Sequence, residues 1–378
     1  MNGPLLQTLA SKRIAVVVGS GGVGKTTVAA AIALSRALDG GRALVCTIDP
    51  ARRLAAALGL ASLGNLETRV PADEFERSGL APRGELSAMM LDVKRTWDDL
   101  IARHAGDPAQ QERILRNRIY QQVSGALAGS QEYMAMEKLY ELATERSYDL
   151  VVLDTPPTAH ALDFLEAPDR ILDFLGNDTA RMLLTPAVGA GRLGLRLFQL
   201  GGSYVAKTLS RFTGSDVLRD VADFMENFEG MYDGFKTRAA AVRGMLSRPD
   251  VGFVLVSSPS PLSIDEALFF HDHLRAESMP VAGVVANRVT PDLWSAESPL
   301  PSVANLAAAL DAAGAGALDA GMAGRLARTL SEHQTFARSD ARELRRLRRG
   351  TSGVHVSVPR LESDVHDLAG LAAMGSWL

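Results

Sequence analysis

A glycine-rich segment near the N-terminus contains the residues best suited to chemistry. Gly19, Gly24, Lys25 and Thr26 have the spacing G-x-x-x-x-G-K-[ST] of a phosphate-binding loop. Glycines let backbone N–H groups curl around phosphate oxygens without a Cβ in the way, and the following helix directs the positive end of its dipole at them. Because an apolar run precedes the loop and an alanine-rich helix pattern follows it, the segment predicts an ATP-binding site and not a chance turn.

Individual residues of this loop have separate predicted roles. Lys25 would reach the β- and γ-phosphates and is a predicted catalytic residue, while Thr26 would place its hydroxyl on Mg²⁺. The surrounding backbone would bind the nucleotide. The predicted ATP-binding residues of the loop are Gly21, Gly22, Val23, Gly24, Lys25, Thr26 and Thr27.

Two aspartates follow apolar runs that predict strands. The carboxyl ends of parallel strands meet at the edge of a sheet where ligands bind. Asp49 would orient or deprotonate an attacking water, although Asp before Pro50 is also a good helix N-cap pattern. Asp154 has the Walker B arrangement, with its carboxylate near Mg²⁺, and the alternative is an aspartate that only caps the strand end.

Seven short apolar runs, several of them rich in valine and isoleucine, are the predicted strands. Their apolar residues are nearly continuous, which is typical of strands buried on both faces, and helical patterns separate most of them. This alternation predicts βαβ units in an α/β fold, a doubly wound and mainly parallel sheet of seven to eight strands. The runs are Ile14–Val18, Ala43–Ile48, Leu86–Leu91, Leu150–Leu153, Val251–Val256, Val281–Ala286 and Val354–Val358.

Two long stretches, 92–147 and 167–249, lack a convincing strand and are predicted helical insertions. They divide the predicted nucleotide-binding core into segments 1–91, 148–166 and 250–378. Insertions that emerge from one edge of a sheet would most simply pack together as one helical subdomain. Eight of the 12 methionines lie between Met89 and Met245, which suits either an apolar groove or ordinary core packing.

Composition excludes several classes of protein. The chain has 378 residues and a net charge of -4, which argues against a protein that coats nucleic acid. Its single cysteine, Cys46, excludes an intramolecular disulfide and a multi-cysteine metal site, and it fits a cytoplasmic setting. No uninterrupted apolar run reaches the roughly 18 residues of a membrane span, so any membrane contact is expected to be peripheral.

Motifs along nearly the whole chain resemble the ArsA/Get ATPases, which include the arsenite-pump ATPase and the ATPase that targets tail-anchored membrane proteins. Besides the phosphate loop, the similar segments are Thr47–Arg52, Asp154–Leu162, Ser258–Ala267, Val284–Arg288 and Val358–Leu368. They occur in the order found in the family. The resemblance implies the same fold and hydrolysis of ATP with water to ADP and phosphate.

The resemblance also implies roles for particular residues. Asp49 corresponds to the aspartate of the first switch, and Asp154 begins the second switch. Asn287 corresponds to the adenine-reading asparagine, and Pro359 begins the loop around adenine. Considered alone, Asn287 has the alternative role of capping a strand end, but an amide can donate to and accept from adenine at once.

Three departures from the family pattern alter these expectations. Ser20 stands where the family usually has a lysine that reaches the phosphates of the opposite subunit across a dimer interface. A homodimer would lack that charge in both sites, whereas a heterodimer with a lysine-bearing paralogue would keep it in the site of this chain. Residues 288–309 contain no cysteine, so the zinc pair of the targeting ATPases is not expected, and one cysteine cannot bind arsenite through several thiols.

The sequence therefore predicts an ATP-hydrolysing molecular switch that works as a homodimer or heterodimer and moves a helical subdomain for an apolar protein client or another partner. An alternative, motivated by Ser20, is a catalytically weak regulatory or structural subunit of a heteromeric complex. A third is a P-loop transferase that passes phosphate to a small molecule.

Overall fold

The computed structural model of the chain describes residues 3–48, 53–118, 120, 121, 124, 130–155, 220, 223, 227, 231–293, 302–312, 320–361 and 363–378. These residues form an eight-stranded sheet with the order β3-β4-β2-β5-β1-β6-β7-β8. The strands are β1 (Ile14–Gly19), β2 (Arg42–Thr47), β3 (Thr68–Arg69), β4 (Glu85–Met90), β5 (Leu150–Asp154), β6 (Val251–Ser257), β7 (Val281–Val289) and β8 (Val354–Pro359).

All seven predicted strands are present, and they pair in parallel. The eighth strand, β3, is only two residues long and pairs antiparallel with β4 at the edge of the sheet. β7 continues to Val289, three residues beyond the predicted end. The predicted α/β fold with a mainly parallel sheet is therefore confirmed.

Helices cover both faces of the sheet. In the described part of the chain they are α1 (Pro4–Leu9), α2 (Lys25–Leu38), α3 (Arg53–Ala57), α4 (Ala72–Arg77), α5 (Val93–His104), α6 (Pro108–Arg116), α7 (Ser130–Glu145), α8 (Tyr232–Leu246), α9 (Pro261–Ala276), α10 (Val303–Ala312), α11 (Ala320–Gly350) and α12 (Leu368–Gly375). Every helix of these described ranges is too short or too polar to cross a lipid bilayer.

Local sequence explains where several of these helices begin. The Asp92 side chain accepts a hydrogen bond from the backbone N–H of Arg95 and caps α5. Ser260 caps α9 in the same way through Ser263, and Pro261 occupies the first turn, where a missing N–H has no cost. These caps fix the points at which the chain leaves the carboxyl edge of the sheet.

Successive residues of the central strands point into two separate cores. Along β1, Ala15 and Val17 belong to the first core, and Val16 and Val18 belong to the second. No residue of β1, β5 or β6 is exposed. The burial of both faces explains why the apolar runs in the sequence are continuous and do not alternate.

The first core lies between the sheet and helices α1, α2 and α12, and we call this side the α2 face. Residues 28–34 of α2 are all fully buried there. Small side chains let neighbouring helices approach closely: a Cβ on Gly375 of α12 would lie 2.6 Å from Ser35 Oγ of α2. The α2 face therefore holds the helix of the phosphate loop in an apolar, closely packed layer.

The second core lies under α5, α7, α8 and α9, and we call this side the insertion face. Its apolar residues include Tyr133 and Met136 of α7. The described methionines of the insertions, Met134, Met136, Met231 and Met245, are buried in this core, which favours ordinary packing for these side chains.

The described residues of the two helical stretches contact each other. Glu137 of α7 forms an ion pair of 2.7 Å with Arg238 of α8. Asn117, which follows α6, donates to the backbone oxygen of Asp220 at 2.8 Å. The assignment of 92–147 and 167–249 as one helical subdomain, and the boundaries of the core segments, stay a prediction.

Candidate nucleotide site at the carboxyl edge of the sheet

The predicted phosphate loop connects the end of β1 to the start of α2, at the carboxyl edge of the sheet. Gly24 has φ 96° and directly precedes α2. A Cβ there would lie 2.3 Å from Asn287 Nδ2, and a Cβ on Gly19 would lie 2.0 Å from the backbone oxygen of Val256. The two defining glycines are therefore required by contacts with β7 and β6 as well as by the loop itself.

Lys25 lies across this loop and is nearly buried, with 7% of its surface exposed. Its ammonium donates to the backbone oxygens of Gly19 and Ser20, both at 2.9 Å. Anionic phosphate oxygens are stronger acceptors than neutral carbonyls. The ammonium is therefore positioned to exchange these contacts for phosphate contacts without leaving the loop.

The two predicted magnesium ligands are in contact. Asp154, at the end of β5, is 1% exposed, and its Oδ2 accepts hydrogen bonds from Thr26 Oγ1 at 2.7 Å and from Thr47 Oγ1 at 2.8 Å. A carboxylate beside threonine hydroxyls is a set of hard oxygen donors, which is the set that Mg²⁺ prefers. The residues present fit a magnesium site next to the phosphate loop.

The chain on either side of Asp154 is tied to neighbouring strands. The Thr155 hydroxyl donates to the backbone oxygen of Val17 in β1 at 2.8 Å. Ile48 donates its N–H to the backbone oxygen of Asp154 at 3.4 Å. The end of β2 is thus held beside Asp154. Asp49, the next residue, lies outside the described residues, so its role as the water-orienting aspartate stays a prediction.

The remaining loop residues differ in exposure. Gly21 and Gly22 are exposed, Val23 is buried, and Thr26 and Thr27 are half-buried. Ser20 is 8% exposed, and its hydroxyl has no hydrogen-bond partner among the described residues. The short neutral side chain of Ser20 is thus enclosed in the loop and presents no charge on the outside.

Asn287 lies at the end of β7, two strands from β1, and directly contacts the phosphate loop. Its Nδ2 donates to the backbone oxygen of Val23 at 2.8 Å, and its Oδ1 accepts from the backbone N–H of Arg288 at 2.9 Å. An amide nitrogen has two hydrogens and an amide oxygen has two lone pairs, so each atom keeps one further site. These contacts leave one donor and one acceptor site of the amide for adenine, and adenine reading by Asn287 stays a prediction.

Pro359 ends β8 and pairs in register with Val289 of β7. The structure places it on β8, the strand next to the one that contains Asn287. Its predicted role at adenine stays a prediction. The loop that follows is held at its start, because Arg360 donates its backbone N–H to the oxygen of Val289 at 2.8 Å.

Two residues of the site received no role from the sequence, Thr47 and Arg288. Thr47 supplies the second hydroxyl on Asp154, and an Nη of Arg288 donates to the backbone oxygen of Gly22 at 3.0 Å. Both stand inside motifs that marked the resemblance to ArsA/Get ATPases. Their position in these motifs indicated that they belong to the site. The residues that they contact could not be predicted, because those contacts depend on which strands are neighbours in the sheet.

Cys46 lies in β2, close to this edge, and is fully buried. Burial raises the pKa of its thiol to about 12, with Asp154 adding a smaller increase and Lys138 opposing both. The thiolate form, which binds soft metals and metalloids, is therefore strongly disfavoured. The expectation that Cys46 does not serve arsenite stays a prediction.

A family model and several known proteins resemble this chain. The family model of the anion-transporting ATPases matches residues 12–299, which include the loop, Asp154 and Asn287. The ATPase GET3 of Kluyveromyces lactis is 28% identical over 247 residues, which are 60% of this chain and 67% of that protein. The uncharacterized protein SCO2128 of Streptomyces coelicolor is 28% identical over 293 residues, 76% of this chain and 65% of that protein.

A third relative, the ATPase get3 of Aspergillus terreus, is 32% identical over 171 residues, 44% of this chain and 46% of that protein. The chain thus spans from about half to about two thirds of the lengths of these curated relatives. The match to the family model extends over most of the chain and includes the phosphate loop with its aspartate and asparagine partners. The chain therefore belongs to the ArsA/Get family of anion-transporting ATPases.

Proposed function

We propose that this chain is an ATP-binding and ATP-hydrolysing molecular switch that works as a dimer with a lysine-bearing paralogue. The observation that carries this proposal is the contact between Thr26 and Asp154 beside the Lys25 ammonium. It brings a phosphate-binding cation and a pair of magnesium ligands to one edge of the sheet. ATP with Mg²⁺ is the substrate that uses both.

Each residue has a distinct task in this proposal. Lys25 binds the β- and γ-phosphates and offsets negative charge as the bond to the γ-phosphate breaks. Thr26 and Asp154 would hold Mg²⁺, which when bound neutralises phosphate charge as a Lewis acid. Asp49 orients the attacking water and accepts its proton, so that the products are ADP and phosphate.

Ser20 motivates the paralogous partner. No positive charge at position 20 can reach a second nucleotide, because serine is neutral, short and here 8% exposed. In other P-loop enzymes a cation supplied to the transition state accelerates hydrolysis by about 10³ to 10⁵. A partner with lysine at the equivalent position would supply that charge to the site of this chain.

The output of the switch is movement of the helical insertions. Helix α7 ends at Glu145, and strand β5 runs from Leu150 to Asp154. A short connection therefore joins the strand that carries the proposed magnesium ligand to the helices of the insertion. The charge of Lys138 on α7 also influences Cys46 of β2. Rearrangement of the chain around Asp154 would therefore move α7, and this movement would change the binding of an apolar protein client or another partner.

The proposal is tested by ATPase assays of the purified chain, alone and mixed with a lysine-bearing paralogue. We expect slow turnover alone and a large increase with the paralogue. Lys25→Ala should abolish ATP binding in both cases, and Asp49→Asn should keep binding but remove turnover. Activity that survives Asp49→Asn would contradict the assigned role of Asp49.

The second candidate function is a nucleotide-binding regulatory or structural subunit with little turnover, which Ser20 also favours. Ser20→Lys separates the two, because it restores the missing charge. An increase in turnover of the isolated chain supports the switch. Tight ATP binding with no turnover in the wild type, in the Ser20→Lys variant or with the paralogue would support the regulatory subunit instead.

A further inference from the structure

The end of β7 holds the backbone of the phosphate loop through two consecutive side chains. Asn287 Nδ2 donates to the oxygen of Val23 at 2.8 Å, and an Nη of Arg288 donates to the oxygen of Gly22 at 3.0 Å. Both contacts join residues more than 260 positions apart in the sequence. Two successive carbonyls of the loop are therefore fixed by one strand end.

Fixing these carbonyls also fixes two N–H groups of the loop. In a planar trans peptide the C=O and the N–H point in opposite directions. The carbonyl of Gly22 shares a peptide with the N–H of Val23, and the carbonyl of Val23 shares one with the N–H of Gly24. While Arg288 and Asn287 hold the carbonyls on the β7 side, the two N–H groups must face away from β7, into the loop.

The backbone of Arg288 is strained in a way that serves this contact. Its φ is 61°, and it shares a positive φ with Ser278 alone among the described non-glycine residues. Side chains with a Cβ disfavour this left-handed region, and such outliers persist where surrounding contacts hold them. The Arg288 N–H donates to Asn287 Oδ1, so the strained backbone also sets the amide orientation that directs Nδ2 at Val23.

We propose that Arg288, with Asn287, is a positioning residue that pre-forms the phosphate cradle, and this proposal rests on the proposed nucleotide site. The guanidinium acts through the Gly22 carbonyl and not by contact with phosphate. The loop then has its N–H groups oriented before the nucleotide arrives, and binding does not have to order them.

Arg288→Gly tests this proposal because glycine accepts the left-handed backbone but lacks the guanidinium. We expect its Kd for ATP, measured by titration calorimetry on the full chain, to rise about tenfold, the effect of losing one charge-assisted hydrogen bond. Its thermal unfolding midpoint should stay unchanged or rise. Ser278→Gly is the matched control. It removes the backbone strain at the other non-glycine residue with a positive φ, which is far from the phosphate loop in the sequence, and it should leave the Kd for ATP unchanged.

A second pair of variants separates positioning from direct charge. Arg288→Gln keeps a neutral donor for the Gly22 carbonyl, whereas Arg288→Met keeps length without a donor. Positioning predicts that the glutamine variant binds ATP within about threefold of the wild type and that the methionine variant resembles Arg288→Gly. Equal loss in both variants would show that the charge itself contacts phosphate and would overturn the proposal.

Hydrogen–deuterium exchange without nucleotide keeps this test independent of the proposed function. In the free chain, Arg288→Gly should speed exchange of the Val23 and Gly24 amides, and Ser278→Gly should not. Unchanged exchange at these amides would overturn the positioning role even if ATP binds. Faster exchange in a chain that binds no ATP would support the positioning role while the nucleotide proposal fails.

Discussion

The two faces of the sheet are covered by buried side chains of different polarity. The α2 face is apolar throughout its centre, and residues 28–34 of α2 are fully buried against it. The insertion face contains three charged residues of α7 that are almost as deeply buried, Glu137, Lys138 and Glu141. The middle of α2 is thus held by apolar packing, whereas the helices of the insertion also depend on paired charges.

The charged residues of the insertion face connect three helices. Glu137 pairs with Arg238 of α8, and Glu141 pairs with Lys138 at 2.9 Å and with Arg103 of α5 at 2.8 Å. A buried ion pair adds little net stability, but loss of one partner leaves a costly unpaired charge. Such helices can keep their positions only with their partners in place, which suits a region proposed to move as a unit.

The largest expected effect comes from removing one of these charges. Glu137→Leu should lower the free energy of unfolding by about 3 kcal/mol, because Arg238 loses its buried hydrogen-bond partner. The double variant Glu137→Leu with Arg238→Met should recover most of that loss, since two apolar groups need no partner. Urea titrations of the wild type, the Glu137→Leu and Arg238→Met single variants and the double variant measure the coupling. A double variant no more stable than Glu137→Leu would contradict this account.

A conservative change on the α2 face should have a smaller and simpler effect. Ile32→Val removes one methylene from a fully buried side chain of α2 and should cost about 1 kcal/mol. The cost should not depend on pH, since the methylene that is removed neither titrates nor forms hydrogen bonds. Unfolding measured at pH 5 and pH 8 provides the check, and a cost that changes with pH would show that the two faces are not separate.

The smallest expected effect is a pH dependence of opposite sign at two carboxyl groups of α7. Burial raises the pKa of Glu137 above its ordinary value of 4.5, although Arg238 opposes the shift. Burial also acts on Glu141, but its hydrogen bond with Lys138 and the charges of Lys138 and Arg103 bring its pKa below 4.5. The stability from Glu137 is thus lost as pH rises above 4.5, and that from Glu141 is lost as pH falls below it.

Glutamine variants reveal this difference. Relative to the wild type, Glu137→Gln should gain stability as the pH rises above 4.5, whereas Glu141→Gln should gain stability as the pH falls below 4.5. Thermal unfolding midpoints from about pH 3 to pH 7 measure both trends, the lower end being set by the ordinary range of carboxyl pKa values. Parallel trends in the two variants would be incompatible with the opposite shifts.

Much of the fold was predictable because parallel strands that are buried on both faces consist of nearly continuous apolar residues. The continuous apolar runs of β1, β5 and β6 were recognisable since both faces of each strand enter a core. β3 was not predicted because two residues, Thr68 and Arg69, provide no periodicity. The ion pairs of α7 were also out of reach, because the helical pattern of that segment does not identify which charges have partners on α5 and α8.

The residues of the site were predictable where they lie in one sequence motif. Contacts that depend on the order of the strands in the sheet were not predictable. Lys25 and Thr26 lie in one motif, and Asp154 could be joined to them because both strand ends reach the same edge. The contacts of Arg288 and Asn287 with the loop require β7 to lie close to β1, and no local pattern in the sequence gives the order β1-β6-β7.

The contact between Asn287 and Val23 also bears on how the protein is synthesised. The two residues are 264 positions apart, so the ribosome releases the phosphate loop long before the strand that holds it. The carbonyls of Val23 and Gly22 have no contact with Asn287 and Arg288 until β7 has been synthesised. If the chain binds ATP as proposed, tight capture of the nucleotide would therefore follow the synthesis of β7, and chains that lack β7 would stay outside the proposed nucleotide cycle.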